Sequence, residues 1–247
     1  MRKLHCEALI EDLEEMIPEI KNKTDLHVQS SEPEVIIPRV KSFFEHNRSV
    51  LEYCANDVFE LLVSKENRTK KLKSRYKNVY FPYGETKEIF ERNFNNNLPG
   101  LSQQNHSIYK LISGLQDFNR RDDKKFLNYM CRVTNKNKHD QLSTQERRSE
   151  KTVNIGNFIS STNSNVTISG GTYNGLPMGD FKITTDGEII GKINLQLLKE
   201  TVIIENGFLI FKDSGKKVLP FLELCKEEVK SFYIELYKLL NDAVEKN

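Results

Sequence analysis

FLNYMCRVTNKNKHDQL, residues 126–142, reads as an amphipathic helix placed just before the sequence changes character. At about 100° per residue, Phe126, Leu127, Met130, Val133 and Thr134 fall on one side of the wheel. Asn128, Arg132, Asn135 and His139 fall on the other, within roughly 60° of one another. Arg132 and His139 are seven positions apart, so they share a face and lie roughly 10 Å apart along the axis. The apolar side requires a packed helical half around it. The opposite stripe gathers a fixed cation, a titratable imidazole and two amides on a rigid support, although a polar stripe is also what the wet side of a core helix looks like.

Working outward toward the N-terminus, the pattern stays helical. Leu9, Leu13, Met16 and Ile20 set a first helix over residues 4–21, kinked or shortened by Pro18, and residues 25–38 read as an extended connection. Pro38 suits a first helical turn, and Val40, Phe43, Phe44, Val50, Leu51, Cys54, Val58 and Leu62 give the next helix a broad apolar face. On that helix Arg48 and Glu52 stand at i and i+4, close enough to pair. Residues 65–77, KENRTKKLKSRYK, hold seven basic residues and one acidic one. Such a run is a solvated loop or helix end, or a phosphate-binding surface using Arg68, Lys70, Lys71, Lys73, Arg75 and Lys77 with Tyr76 available to stack on a base. FPYG at 81–84 is a turn, residues 86–94 and 105–115 are helical, NNNLPG at 95–100 is a breaker, and QDFNRRDD at 116–123 is a polar connection.

Beyond Arg148 short β-rich runs take over. Asp186-Gly187 and Asn206-Gly207 each sit between two such runs and predict hairpins. The spacer 160–175 is either a loop or a weakly patterned hairpin, and its GGTYNG segment reads as a loop. Residues 218–244 close the chain as a helix with Leu222, Val229, Phe232, Leu236, Leu239, Leu240 and Val244 available for packing. The predicted class is α+β: an N-terminal helical bundle over residues 1–148, then a small antiparallel β segment with a returning C-terminal helix over 149–247.

Composition narrows the function classes. A formal net charge of +2 is nearly balanced, so the whole-chain field does not announce a nucleic-acid partner. With 29% charged residues and no apolar run near the roughly 20 residues needed to span a bilayer, the chain reads as cytoplasmic, with no membrane partner and no export signal. Cys6, Cys54, Cys131 and Cys225 are widely spaced and form no CxxC pair, which predicts buried thiols rather than a metal or disulfide framework. Asp122 and Asp123 lie among lysines and arginines as a charged turn, and His5, His27 and His106 have no ligand partners nearby in sequence. No nucleotide loop, zinc motif or nucleophile elbow is present, so no cofactor and no metal are expected.

The Arg132/His139 stripe has the chemistry for metal-independent RNA cleavage. His139 would move the ribose 2′-OH proton, Arg132 would hold the phosphate, and Asn135 would orient the imidazole or donate to the phosphate, with Asn128, Arg48 and Glu52 in support. One stripe supplies a single acid/base group, so a homodimer with its two-fold axis near His139 would help complete the site.

Arg132 and His139 also fit the Arg-x(4 to 6)-His spacing of HEPN domains, helical bundles that dimerise and often act as metal-independent ribonucleases in defence and toxin systems. The chain further resembles a broad group of uncharacterised bacterial proteins. It shares with them HNRSVLEY at 46–53, FP at 81–82, LPGL at 98–101, LQDFNRRDD at 115–123 and N-x-x-KH-x-x-L at 135–142, in that order. The HEPN resemblance implies a ribonuclease or toxin-like effector, with RNA and a cognate regulatory protein as partners. Val133, at a position usually polar in active HEPN members, points to the alternative of a non-catalytic, dimerising binding or regulatory module.

Overall fold

Cys6, Ile10, Leu13, Met16 and Ile20 are buried along helix α1 (Lys3–Gln29), and Thr24 carries the same face further, so the helix is not shortened at Pro18 but continues past it. The extended connection expected from residue 25 is therefore helical up to Gln29. This computed structural model describes the backbone of residues 1–29, 34–36, 38–139, 144–194, 196–197 and 201–245. It describes their side chains apart from those of 25–29, 34–36, 136–139, 144–147, 204–206 and 244–245.

Helix α2 (Pro38–Leu62) begins at its proline and buries Val40, Phe43, Phe44, Val50, Leu51, Cys54 and Val58. Helix α3 (Lys65–Lys73) starts at Ser64, whose hydroxyl accepts from Asn67 N at 3.3 Å, so most of the basic run is helical. Helices α4 (Lys87–Asn97), α5 (Leu101–Gln104) and α6 (His106–Gly114) follow, with Thr86 and Asn105 capping α4 and α6. Two short 3₁₀ turns, Asp117–Asn119 and Asp122–Lys124, lead into α7 (Leu127–His139). The last helix, α8 (Val218–Glu245), returns to lie against α1, α2 and α6.

The β elements form two antiparallel sheets. In the first, β2 (Thr144–Ile155) is central. It pairs along one edge with β7 (Thr201–Phe211) and along the other with β1 (Glu34–Ile36) near its start and β3 (Ile159–Thr162) near its end. The second sheet has the order β4 (Val166–Tyr173), β5 (Leu176–Ile183), β6 (Ile189–Ile193). Asp186-Gly187 does turn β5 into β6. Asn206-Gly207 makes no hairpin: β7 passes through it, with Gly207 opposite Ser149 in one unbroken ladder. The GGTYNG loop is likewise a strand and a turn. Gly170 and Gly171 sit in a bulged part of β4, and Asn174 (φ 49°) and Gly175 (φ 78°) reverse the chain into β5.

Two cores result. The larger joins all the long helices to Leu209 and Phe211 of β7. Its centre is an aromatic cluster: Phe211 lies 5.8 Å from Phe44, 5.6 Å from Tyr129 and 6.0 Å from Phe221 between ring centroids. Each such ring buried contributes roughly 2–3 kcal/mol, and the cluster fixes α7 against α2, β7 and α8. The smaller core, Val153, Ile155, Met178, Phe181, Ile183 and Leu197, lies within the β segment. The α+β architecture is thus as the sequence predicts, with α8 packed among the N-terminal helices. All four cysteines are buried thiols. Among the described residues no helix is long and apolar enough to cross a membrane.

Candidate nucleic-acid interface

Helix α7 is placed by Asp117. Its Oδ1 accepts from Phe126 N (2.9 Å) and Leu127 N (3.0 Å), and its Oδ2 accepts from Asn128 N (2.9 Å), so one buried carboxylate satisfies three donors at the helix start. Met130, Cys131, Val133 and Thr134 then face the core, and Arg132 and Asn135 are exposed. Of the polar stripe predicted from the wheel, Arg132 and Asn135 are exposed and Asn128 is half-buried. His139 ends α7; its side chain lies outside the described residues.

The stripe divides into two settings. Arg132, 64% exposed, lies over the Tyr129 ring at 5.4 Å and reaches Asp213 only at 3.9 Å. Asp213 accepts more closely from the Tyr129 hydroxyl, at 2.6 Å. Burial and that carboxylate together push the Tyr129 phenol well above its ordinary pKa. Arg132, Asn128, Lys216 and Glu85 line a cleft of about 360 Å³. Asn135 looks elsewhere, donating to the Tyr83 hydroxyl at 3.3 Å. The Arg48 guanidinium stacks on the Tyr83 ring at 4.8 Å and donates to Glu52 Oε1 at 2.6 Å, while Glu52 Oε2 accepts from Phe81 N at 2.5 Å. Arg48 and Glu52 are thus mostly buried and fasten residues 81–83 to α2; Nη1 of Arg48 is buried with no hydrogen-bond partner. Beside them, burial raises the Cys131 thiol to about 11 in spite of Arg48, so it stays protonated and inert at neutral pH.

The segment between these groups is held rigidly. The Gln116 side chain, fully buried, accepts from Gly84 N (3.2 Å) and donates to Pro82 O (3.2 Å). Gly84 leaves no room for a side chain, since a Cβ there would lie 2.4 Å from Phe90 N. Residues 79–85 therefore form a fixed ribbon. Val79 O accepts from Asn56 of α2, Tyr80 N donates to Asn97 of α4 at 2.9 Å, Tyr83 touches the α7 stripe, and Glu85 lines the Arg132 cleft.

At the start of this ribbon lies a second polar surface, built on α3. Lys70 pairs with Glu66 at 2.6 Å, and Arg68 donates to Glu60 O. Lys65, Lys73, Arg75 and Lys77 have no carboxylate partner among the described residues. Lys71 is covered over most of its length, and this desolvation pulls its pKa down. Tyr76 and Tyr80 rise among these cations, 74% and 53% exposed. Two cavities of about 600 and 310 Å³ adjoin here and share Lys77, Asn78 and Tyr80 as walls. All six predicted phosphate-contact residues, Arg68, Lys70, Lys71, Lys73, Arg75 and Lys77, lie on or beside this surface.

The sequence reading missed Tyr80 and the asparagines of α4. Its signal was the run Asn95-Asn96-Asn97, read as a breaker, of which Asn97 bonds the ribbon and Asn96 and Asn97 line the smaller cavity. Comparison with family models, curated proteins and solved structures yields no match to this chain, so the HEPN resemblance rests on the Arg132/His139 spacing and the architecture on the fold itself.

Proposed function

We propose that this chain binds single-stranded RNA on the α3 surface. The observation that carries the reading is the placement of Lys65, Lys73, Arg75 and Lys77, which have no carboxylate partner among the described residues, beside two exposed tyrosines. Cations that the fold does not neutralise attract phosphates, and phenol rings among them offer base-stacking platforms that duplexes cannot use. The test is fluorescence anisotropy of a labelled 12-nucleotide single-stranded RNA against the matching duplex, at two salt concentrations. Tighter, salt-dependent binding of the single strand is expected; equal binding of both, or none, would sink the proposal.

A second reading, cleavage of the bound strand, is favoured by the ribbon. From Tyr80 to Glu85 the chain spans at most about 17 Å, which lets a strand held on α3 reach the Arg132 cleft within two or three nucleotides. There Arg132 would hold the phosphate while His139 takes the 2′-OH proton. The 2′ oxygen attacks phosphorus, the P–O5′ bond breaks, and the proton passes to the departing 5′ oxygen. A homodimer with its two-fold axis near His139 would supply a second imidazole. Incubating the purified chain with RNA and a chelator, beside His139→Ala, tests this. Loss of cleavage with an unchanged Tm is expected; full activity in His139→Ala would remove the catalytic role and leave the binding module.

A further inference from the structure

The smaller cavity beside Tyr80 has features of a seat rather than a bare basic surface. Lys71 is 9% exposed and lines it, and its ammonium makes no hydrogen bond or ion pair with any described residue. Its stem is covered, while its ammonium is not among the buried unpartnered polar atoms and stays open to solvent or to an anionic partner. The groups around it are Arg75, Lys77 and the phenols of Tyr76 and Tyr80, so no acid in the cavity supplies that partner. The lysine is also held in place: its carbonyl accepts from both the Ser74 N–H and hydroxyl, at 3.1 and 2.7 Å.

The amides lining the cavity differ from one another. Asn97 is committed to Tyr80 N and Asn93 O, Asn93 donates to Tyr83 O, and Asn78 donates to the Tyr80 hydroxyl. Asn96 is exposed to the cavity and makes no such bond. Its side chain therefore retains one donor and one acceptor side by side, the pair that matches the N6 and N7 edge of adenine.

We propose that this cavity seats one adenine nucleotide of the bound strand, its phosphate on Lys71, its base against Tyr80 and its edge on the Asn96 amide. This rests on the single-strand reading above. It adds a base preference that the remaining α3 cations cannot give, since phosphate contacts carry no sequence information.

The test uses the full chain with labelled oligo(A) and oligo(C) of equal length. Wild type is expected to prefer oligo(A) roughly tenfold. Asn96→Ala should abolish that preference by weakening oligo(A) alone, and Tyr80→Ala should weaken both by roughly tenfold. Lys71→Met keeps the buried stem, so it should lower affinity without lowering Tm. A Tm that falls with affinity unchanged would mark Lys71 as structural and overturn the seat. Equal wild-type binding of oligo(A) and oligo(C) would overturn the seat and leave single-strand binding standing, whereas binding of neither would overturn both. Free 5′-AMP is expected to compete only weakly, since it lacks the neighbouring phosphates. AMP binding tighter than oligo(A) would make this a free-nucleotide site instead and overturn the assignment to a strand.

Discussion

The surface around α7 and the surface around α3 are both polar, but their groups are occupied differently. Around α7 most polar groups are met by the fold: Asp117 caps the helix, Glu52 clamps Arg48 and Phe81 N, and Asn135 meets Tyr83, while Arg132 stays 64% exposed. At α3 Lys65, Lys73, Arg75 and Lys77 have no such partner among the described residues. A polar group that the fold satisfies stabilises the fold. One that it leaves unmet is available to a ligand, and the sequence alone does not distinguish the two.

Substitutions should separate these surfaces by which measurement they move. The largest stability effect is expected for Asp117→Ala, which strands three N–H donors in a buried helix start and should cost about 4 kcal/mol, seen in denaturant midpoints. A loss below about 1 kcal/mol would mean that water takes over the cap. Glu52→Gln should cost about 2 kcal/mol by removing the counter-charge of a mostly buried Arg48. If it weakened RNA binding without lowering stability, Arg48 would belong to the ligand surface after all.

Changing Lys73, Arg75 and Lys77 together to Gln should shift stability by no more than about 0.5 kcal/mol. It should also flatten the salt dependence of RNA binding by about 2 in log–log slope. Lys70→Gln, which removes a lysine already paired with Glu66, is the control and should change the slope least. The smallest stability effect is expected for Arg132→Ala, within about 0.5 kcal/mol because the group is exposed. Any cleavage should fall with it and return only in part with Lys, whose ammonium lacks the guanidinium fork. Complete rescue by Lys would reduce Arg132 to a simple point charge.

The helical half was legible because its signals are local. The buried spacing on α2, the Thr86 and Asn105 caps and the proline at the start of α2 all lie within a few residues of what they determine. The β half was read less well because its signals are relational. Asn206-Gly207 and Asn174-Gly175 are the same dipeptide, yet only the second turns the chain, since β2 supplies a partner on both sides of the first. The candidate site divides in the same way. Lys70, Lys71 and Lys73 are neighbours in sequence and announced themselves. Tyr80 and Asn96 share a cavity only because residues 78–80 pack on α4, through a bond from Tyr80 N to Asn97 that no periodicity encodes.

Helix α8 supplies a wall of the larger core, with Phe232 5.5 Å from Phe81 and the Tyr237 hydroxyl bonded to Asp57 of α2 at 2.6 Å. During synthesis that wall arrives long after the helices it covers. About 150 residues separate the end of α2 from the start of α8, so at 5–20 residues per second the first helices wait roughly 8–30 s for their cover. Over that interval Phe81, Cys54 and the apolar face of α1 are exposed to whatever else is in the cell. Nascent-chain chaperones should therefore engage this protein while its β segment is being made and release it when α8 docks.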